Sequence, residues 1–433
     1  MRPIVSILVG TVLGALAEAP LAAADTPAAG APGGPGLAIR CAKALVLSPD
    51  PADPQVIDGA LVLLKGGKIE KVVAARGTDV PAGYELLDVG ASWVMPGLID
   101  LHSHEGGTYD INDAVYLTNP DLSARVAVVP NNDRFRVALA AGITTVLFIP
   151  GSATNMGGGG MLLKTGPDRY EEAVVRDPGS LKVAQWGNPE SWGPGIGMAF
   201  ENWNTRNTFR RGLAYAKRWE DFERGAGPEP KRDILFDIFR ALRARTTQCS
   251  VHTQMYQVVL MTITMIRGEL GLDVYLDHST IGGWLTGELA AKMGVPAVVG
   301  PRQIDSTARG MINWARNKHE GVRGIAAGYQ ERGVEMLCFN TDAPVLPEES
   351  LPLQAAMGVR YGVDDSKLAA VRGLTVLPAL VAGIADRVGS LTPGRDADVI
   401  VITGHPADPR SWVQRVFVDG KPKYDAEVEP RLW

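Results

Sequence analysis

The stretch from Trp93 to Gly107, WVMPGLIDLHSHEGG, constrains the fold of this chain more than any other. Its apolar run from Val94 to Leu101 is too short for a buried helix and is typical of a parallel strand inside an α/β domain. The run ends on His102 and His104, two positions apart. Side chains at that spacing lie on one side of a strand, so both imidazoles are expected to face one point at its C-terminal end. A strand can supply two nitrogen ligands to one metal ion in this way.

An HxH pair alone can equally be two polar residues at the end of a strand. The flanking residues favour the metal site, because MPGLIDLHSH resembles the signature of the amidohydrolase superfamily, the metal-dependent hydrolases on a TIM-like barrel. The stretches TNP, PGSATNMGGGG and QWGNPESWG resemble the imidazolonepropionase-like branch of that superfamily. The resemblance covers the chain from Leu37 onward and implies both that fold and a hydrolytic activity.

The length and the strand pattern indicate a barrel with one further domain. A (β/α)₈ barrel takes about 250 residues, and this chain has 433. Short β-like runs with hairpin-type turns occur from Leu37 to Val89 and again from Ala397 to Val418, which indicates one small β domain built from both chain ends. We therefore predict an α/β fold, with a (β/α)₈ TIM-like barrel over residues 93–387 and a composite β-sandwich over residues 37–92 and 388–433.

Within the barrel region, strand-like runs alternate with helical segments such as Asp133–Ala141, Arg206–Trp219 and Met311–Asn317. The predicted parallel strands are Val94–His104, Thr144–Pro150, Met161–Thr165, Leu181–Gly187, Cys249–Gln254, Leu272–His278, Ala297–Gly300 and Glu335–Asp342. In a TIM barrel the C-terminal ends of the strands share one mouth, where active sites lie. Polar residues near the ends of different strands can therefore meet there.

Three such residues complete a ligand set with His102 and His104. His252 lies in the fifth predicted strand, His278 ends the sixth and Asp342 ends the eighth. Each alone would be an ordinary polar residue, but in the order HxH, His, His, Asp they match the superfamily's metal ligands. The resemblance thus implies that all five bind metal.

Two lysines compete for a further role. Binuclear members of the superfamily use a fourth-strand lysine, carbamylated by carbon dioxide, as an anionic bridge between two metals. Lys182 lies on the fourth predicted strand and matches that position, whereas Lys164 ends the third. An unmodified ammonium would be repelled by two dications, whereas a carbamate adds negative charge and oxygen ligands. We predict that Lys182 bridges the metals and that Lys164 contacts substrate, although either can be structural and Lys164 remains the alternative bridge.

Arg302 is the second predicted substrate contact. It follows the seventh predicted strand, at the expected mouth, where a guanidinium could bind a substrate carboxylate through two hydrogen bonds. A surface arginine is the open alternative.

The resemblance implies a hydrolase with two divalent ions, for which nitrogen and oxygen ligands favour zinc. A metal-activated hydroxide would cleave an amide or related C–N bond of a cyclic amide, an N-acyl amino acid or a dipeptide, with Asp342 moving the proton. Two alternatives stay open: a mononuclear deaminase of the same superfamily, and a non-catalytic secreted binding protein on a decayed barrel. Met255 and Tyr256 stand where a deaminase of this type would carry its glutamate.

The net charge and the N-terminal sequence limit the kinds of partner that we expect this protein to bind. The net charge of −5 gives no basic field for nucleic acid or for an anionic membrane. Arg2, an apolar run from Ile4 to Leu16 and the alanines before Asp25 predict a signal peptide over residues 1–24, followed by a disordered leader over residues 25–36. The mature protein is therefore expected in the periplasm or secreted, away from the membrane, with a small-molecule substrate and, as an open alternative, further copies of itself as partners.

Overall fold

The structure is a computed structural model. It describes residues 34–429, apart from 51, 54, 109–110, 115, 186–195 and 307–321. The predicted signal peptide, most of the predicted leader and the predicted helix Met311–Asn317 lie outside the described residues. Among the helices of the described part, none combines the length and the apolar character needed to cross a bilayer.

Both ends of the described chain contribute strands to one eight-stranded sheet, which confirms the predicted composite β domain. Its strands, numbered along the whole chain, are β1 (Gly36–Leu45), β2 (Val56–Lys65), β3 (Lys68–Ala74), β4 (Tyr84–Asp88), β5 (Trp93–Pro96), β16 (Val399–Ile402), β17 (Val413–Val418) and β18 (Lys421–Asp425). The two halves join where β5 pairs parallel with β1 and antiparallel with β16. The first and last parts of the chain therefore share one core.

A second eight-stranded sheet forms a nearly closed barrel, as predicted. Its strands are β6 (Leu98–Ser103), β7 (Ile143–Phe148), β8 (Met156–Lys164), β9 (Val174–Ala184), β10 (Cys249–Met255), β11 (Val274–Ile281), β12 (Ala297–Val299) and β15 (Leu337–Phe339). Each strand pairs with the next in this order. Between β12 and β15, the strands β13 (Ile304–Ser306) and β14 (Val322–Gly324) form a separate antiparallel pair.

Helices connect most of these strands. The α-helices are α1 (Asp133–Ala140), α2 (Tyr170–Ala173), α3 (Met198–Glu223), α4 (Ile238–Arg243), α5 (Tyr256–Met261), α6 (Gly287–Met293), α7 (Ile325–Gln330), α8 (Leu351–Arg360), α9 (Ala369–Arg372) and α10 (Val376–Val381). Short 3₁₀ turns lie at Ala124–Ala127, Ile234–Phe236, Gly283–Thr286 and Glu348–Ser350, and a π-helix at Thr262–Glu269 extends α5. In α1, Asn132 caps the first backbone N–H groups, and Phe135, Ala138 and Leu139 face the core at helical spacing.

The third barrel strand does not run as predicted. β8 is antiparallel to both β7 and β9, whereas the sequence pattern predicted eight parallel strands. Only residues 149–155 separate β7 from β8, and a parallel return needs a crossover of about a dozen residues or more. The chain therefore turns straight back, and the end of β8 lies at the opposite end of the barrel from the ends of its neighbours.

The first predicted strand, Val94–His104, is divided into two. β5 joins the sheet of the chain ends and β6 joins the barrel, with Gly97 between them. A Cβ atom at Gly97 would lie 2.0 Å from Thr144 Oγ1, so only glycine fits where the chain passes between the two sheets.

Backbone contacts close the barrel between the end of β6 and the segment that follows β15. Ser103 forms an isolated parallel bridge with Ala343, and the His104 backbone N–H donates to the Ala343 carbonyl at 2.8 Å. This closure brings the first histidine pair next to the segment that carries Asp342.

Candidate metal centre

The structure brings six of the eight predicted site residues together at the C-terminal end of the barrel. His102 lies in β6, Lys182 in β9, His252 in β10 and His278 in β11, while His104 and Asp342 follow β6 and β15. His102, His104, Lys182, His252 and His278 are buried, and the Asp342 side chain is 15% exposed. The cluster is thus almost closed to solvent, with Asp342 as its most accessible member.

The six side chains are in direct contact around Asp342. The Nε2 atoms of His102 and His104 lie 3.2 and 3.3 Å from Asp342 Oδ1, and His278 Nε2 lies 4.0 Å from Asp342 Oδ2. The Lys182 Nζ lies 3.1 Å from His102 Nε2. The His252 ring packs 4.5 Å from the His278 ring, centroid to centroid. Ligand atoms of His102, His104 and Asp342 all fall within 4.8 Å of one another, close enough for one metal ion.

All four imidazoles use Nδ1 for contacts with the surrounding protein. The partners are Asp277 Oδ2 at 3.2 Å for His102, the Ile149 carbonyl at 2.8 Å for His104, Ser152 Oγ at 3.0 Å for His252 and the Gly300 carbonyl at 2.8 Å for His278. Metal-binding histidines are typically held in this way through their second ring nitrogen.

The other ring nitrogens are the ones that fit a metal. His252 Nε2 and His278 Nε2 are buried and make no hydrogen bond among the described residues. Buried polar atoms without partners are rare in proteins. Four nitrogens, two of them without hydrogen bonds, and one carboxylate form a donor set suited to divalent transition metals.

The electrostatics keep these donors in the form that binds metal. Burial lowers the pKa of His102 and of His278 to about 4, and it also lowers the pKa of His104 and His252. The imidazoles are therefore neutral at pH 7, as metal binding requires. Burial likewise lowers the pKa of Lys182 to about 8.

Asp342 is the ionised member of the cluster. Burial alone would raise the pKa of its carboxyl, but the neighbouring imidazoles of His278, His102 and His104 lower it far below its usual value. The backbone at this end of the barrel is held in an uncommon conformation, since Asp342 and His278 have φ values of 52° and 65°. Such left-handed conformations in non-glycine residues cluster at functional sites.

Asp100 is a contributor that the sequence pattern did not identify. It is fully buried, its Oδ1 accepts from the His102 backbone N–H at 2.8 Å, and its Oδ2 accepts from Thr341 N–H at 2.9 Å and Thr341 Oγ1 at 2.7 Å. It thus links the strand of His102 to the segment of Asp342 where the barrel closes. A lone aspartate in the apolar stretch GLIDLH was a usable signal, because a buried carboxylate requires partners.

The structure places Lys164 outside this cluster, which corrects the prediction that it faces a substrate pocket at the mouth. Because β8 is antiparallel, Lys164 pairs with Thr145 near the start of β7, away from the histidines. Its Nζ lies 2.8, 3.1 and 2.5 Å from carboxylate oxygens of Asp396, Asp398 and Asp419, next to the composite sheet. Burial would lower the pKa of Lys164, but these three carboxylates raise it above its usual value, so it is a fully paired structural cation.

Arg302 lies beyond β12, two residues after Gly300, whose carbonyl faces His278 Nδ1. Its side chain is exposed. The position of Arg302 close to the barrel mouth does not decide whether its side chain can reach a substrate. Its contact with substrate therefore stays a prediction.

Comparisons with known proteins find amidohydrolases and a dihydroorotase among the similar proteins. The Amidohydrolase family model matches residues 283–423. The amidohydrolase tasK of Hapsidospora irregularis is 24% identical over 402 residues, which cover 85% of this chain and 40% of that protein, so this chain spans about two fifths of that relative. A dihydroorotase of Pelotomaculum thermopropionicum is 24% identical over 403 residues, covering 82% of this chain and 87% of that protein. The crystal structure of an amidohydrolase from Thermotoga maritima MSB8 superposes with a TM-score of 0.77 at 28% identity, covering 90% of this chain and all of that one.

Proposed function

We propose that this chain is a metal-dependent hydrolase of the amidohydrolase superfamily, as its family-model match, its relatives and its fold support, and that it hydrolyses an amide or related C–N bond at a centre of two divalent ions. The observation that carries this proposal is the arrangement of the four histidines. Each has Nδ1 directed to a protein partner, and two have a buried Nε2 without any hydrogen bond among the described residues. A polar cluster kept in this state in a nearly closed barrel end is suited to bind cations.

The residues divide into two groups of ligands. In the proposal, His102, His104 and Asp342 would hold one ion, and His252 and His278 would hold the other. Lys182 lies beside His102 and would connect the two as a carbamate formed with carbon dioxide. The reason is electrostatic: an ammonium at that position would oppose two dications, whereas a carbamate would add an anionic pair of oxygen ligands. Nitrogen and oxygen donors in this number favour zinc.

When bound, divalent ions supply such a site with a water of lowered pKa and a polarised substrate carbonyl. Asp342 is placed to move the proton, because it is ionised, contacts His102 and His104, and is the part of the cluster most open to solvent. Its carboxylate accepts the proton that the attacking water loses as the new C–O bond forms. It then donates that proton to the nitrogen as the C–N bond breaks, so the amine leaves neutral.

The substrate we propose is a small amide: a cyclic amide, an N-acyl amino acid or a dipeptide. Arg302 would meet a carboxylate on that substrate. Export to the periplasm or the medium is also part of the proposal and is supported by the N-terminal sequence from Arg2 to Asp25. Placement near the imidazolonepropionase-like branch stays a prediction.

Metal analysis with a substrate panel tests the proposal. The protein is purified without chelator, its metals are measured by elemental analysis, and amine release is followed for cyclic amides, N-acyl amino acids and dipeptides, with aminated heterocycles as the deaminase control. We expect about two equivalents of divalent metal per chain and amine release from at least one amide class. Protein with intact ligands that contains and binds no divalent metal would overturn the proposal.

A further inference from the structure

Asp277 is a buried carboxylate that neither the ligand set nor the proton transfer uses. It lies in β11 next to His278, it is fully buried, and its Oδ2 lies 3.2 Å from His102 Nδ1. In the part of the chain that the structure describes, neither Asp277 oxygen makes a hydrogen bond, and neither does His102 Nδ1. Burying either group without a partner is costly. At 3.2 Å, each group lies within reach of the other as the polar partner that it lacks among the described residues.

This contact differs in kind from those of the other three imidazoles. Two of them, His104 and His278, meet backbone carbonyls at Nδ1, and His252 meets the Ser152 hydroxyl. These partners are neutral. A carboxylate behind a histidine does more than orient the ring, because its negative charge also makes the opposite nitrogen a stronger donor to a metal.

We propose that Asp277 is a positioning residue that accepts the Nδ1–H of His102 and so presents His102 Nε2 to the metal centre as its strongest imidazole donor. The inference rests on the proposed function, since it assigns a role at the same centre. It is also specific to one histidine: Asp277 holds a ligand from β6 although it belongs to β11, five strands away in the order of the sheet.

The geometry explains why this histidine has a carboxylate partner. The Nε2 of His102 contacts both Lys182 Nζ and Asp342 Oδ1, so among the four rings it lies between the proposed bridge and the proposed proton carrier. A neutral ring in that position could instead carry its proton on Nε2 and donate it to Asp342. The carboxylate at Nδ1 opposes this by holding the tautomer in which the Nε2 lone pair is available to Lys182 or to a metal ion.

Asp277→Asn is the appropriate variant because it keeps the volume and removes the charge. The matched control is Ser152→Ala, which removes a neutral Nδ1 partner from His252. For both variants and the wild type, the affinity for Zn²⁺ is measured by competition with a chromophoric chelator, and the free energy of unfolding is measured on the metal-free proteins. We expect Asp277→Asn to weaken Zn²⁺ binding about 10–100-fold, and Ser152→Ala to weaken it less, with little change in the stability of either metal-free variant.

The outcomes separate this inference from the proposed function. If the wild type binds no Zn²⁺, the proposed function fails. If the wild type binds Zn²⁺ and Asp277→Asn binds it equally well, the inference fails alone. It also fails if the metal-free Asp277→Asn protein loses stability to the same extent as it loses affinity, because that result defines a structural role.

A measurement on the wild type does not depend on how the variant folds. Nitrogen-15 NMR of histidine-labelled, zinc-loaded protein reports which nitrogen of each ring bears the proton. The inference requires His102, assigned from the signal lost in His102→Gln, to carry its proton on Nδ1 in a strong hydrogen bond. A proton on Nε2 of His102 would overturn it.

Discussion

Two fully buried lysines lie on neighbouring strands of the barrel and have opposite surroundings. Lys182 on β9 lies among histidines, 3.1 Å from His102 Nε2, and burial lowers its pKa to about 8. Lys164 on β8 contacts three carboxylates, which raise its pKa despite the same burial. Residue type and burial are the same at the two positions, so neither distinguishes a structural lysine from a functional one. The side chains that surround each lysine make that distinction.

The three carboxylates around Lys164 belong to a set of ion pairs with several cations. Asp396 also pairs with Lys68 at 2.6 Å and with Arg387 at 2.9 Å. Negative side chains at this end of the barrel are thus paired with positive side chains of the same protein. These ion pairs also connect β8 to the composite sheet. At the other end, Lys182 is the cation of a cluster in which His252 Nε2 and His278 Nε2 make no hydrogen bond with any residue that the structure describes. Balanced charge indicates a structural role, and unmatched donors indicate a ligand.

The largest expected effect comes from removing the lysine at the unbalanced end. Lys182→Ala should bind at most one divalent ion tightly and lose activity by about 10³-fold, equivalent to about 4 kcal/mol of transition-state stabilisation. Elemental analysis and steady-state kinetics on the purified variant measure both. Short-chain carboxylic acids added to the variant should restore part of the activity by replacing the missing bridge.

Lys164→Ala is the counterpart that makes this comparison decisive. It should keep both metals. Were it instead Lys164→Ala that lost a metal while Lys182→Ala kept two, the bridge would have to come from β8, and the contrast between the two lysines would be reversed.

The second largest effect is on stability, at the balanced end. Lys164→Ala leaves Asp396, Asp398 and Asp419 without their common buried partner, and breaking a buried pair from one side costs about 3–5 kcal/mol. Denaturant unfolding of the metal-free protein measures this loss. The control is Lys68→Ala, whose side chain is 47% exposed and pairs with the same Asp396, so its cost should stay within about 1 kcal/mol. If the two variants lost the same free energy of unfolding, burial of the ion pairs around Lys164 would add no stability beyond that of an exposed pair.

The third effect separates proton transfer from metal binding at the unbalanced end. Asp342→Asn keeps the size and some ligand capacity of the side chain but removes the base, so kcat should fall by about 10²-fold or more while metal is retained. Metal content and kcat measured on the same preparation test this. Near wild-type turnover would assign the proton to another group.

The sequence predicted the features that depend on local pattern. The resemblance to the superfamily implied the set of His102, His104, Lys182, His252, His278 and Asp342. The alternation of strands and the return of short β runs at the C-terminal end indicated the barrel, with those residues near its strand ends, and the composite sheet. These features repeat with the period of a strand and do not require knowledge of distant partners.

The rest depended on pairings between distant parts of the chain. The direction of β8 is set by the short connection after β7, and the prediction treated that strand like the others, which placed Lys164 at the wrong end. Asp100 contacts Thr341 and Asp277 contacts His102, and the two residues of each pair are more than 170 positions apart in the sequence. The local pattern therefore showed only that each carboxylate lies in an apolar strand. The domain boundaries and the export of the chain stay predictions.

The smallest effect is expected at Arg302, which belongs to neither buried cluster. Its guanidinium is exposed, so water screens its attraction for a substrate carboxylate, and its loss should raise KM by about tenfold or less while metal content and kcat stay unchanged. Free-acid and amidated forms of one substrate, compared on the wild type and on Arg302→Ala, isolate the contact. The free acid should be preferred by the wild type, and that preference should disappear in the variant. If both proteins treat the two forms alike, Arg302 takes no part in recognition, and substrate selection must come from groups nearer Asp342. If kcat falls with KM unchanged, Arg302 influences the buried cluster itself. Substrate recognition and the metal centre would then not be separate parts of this barrel.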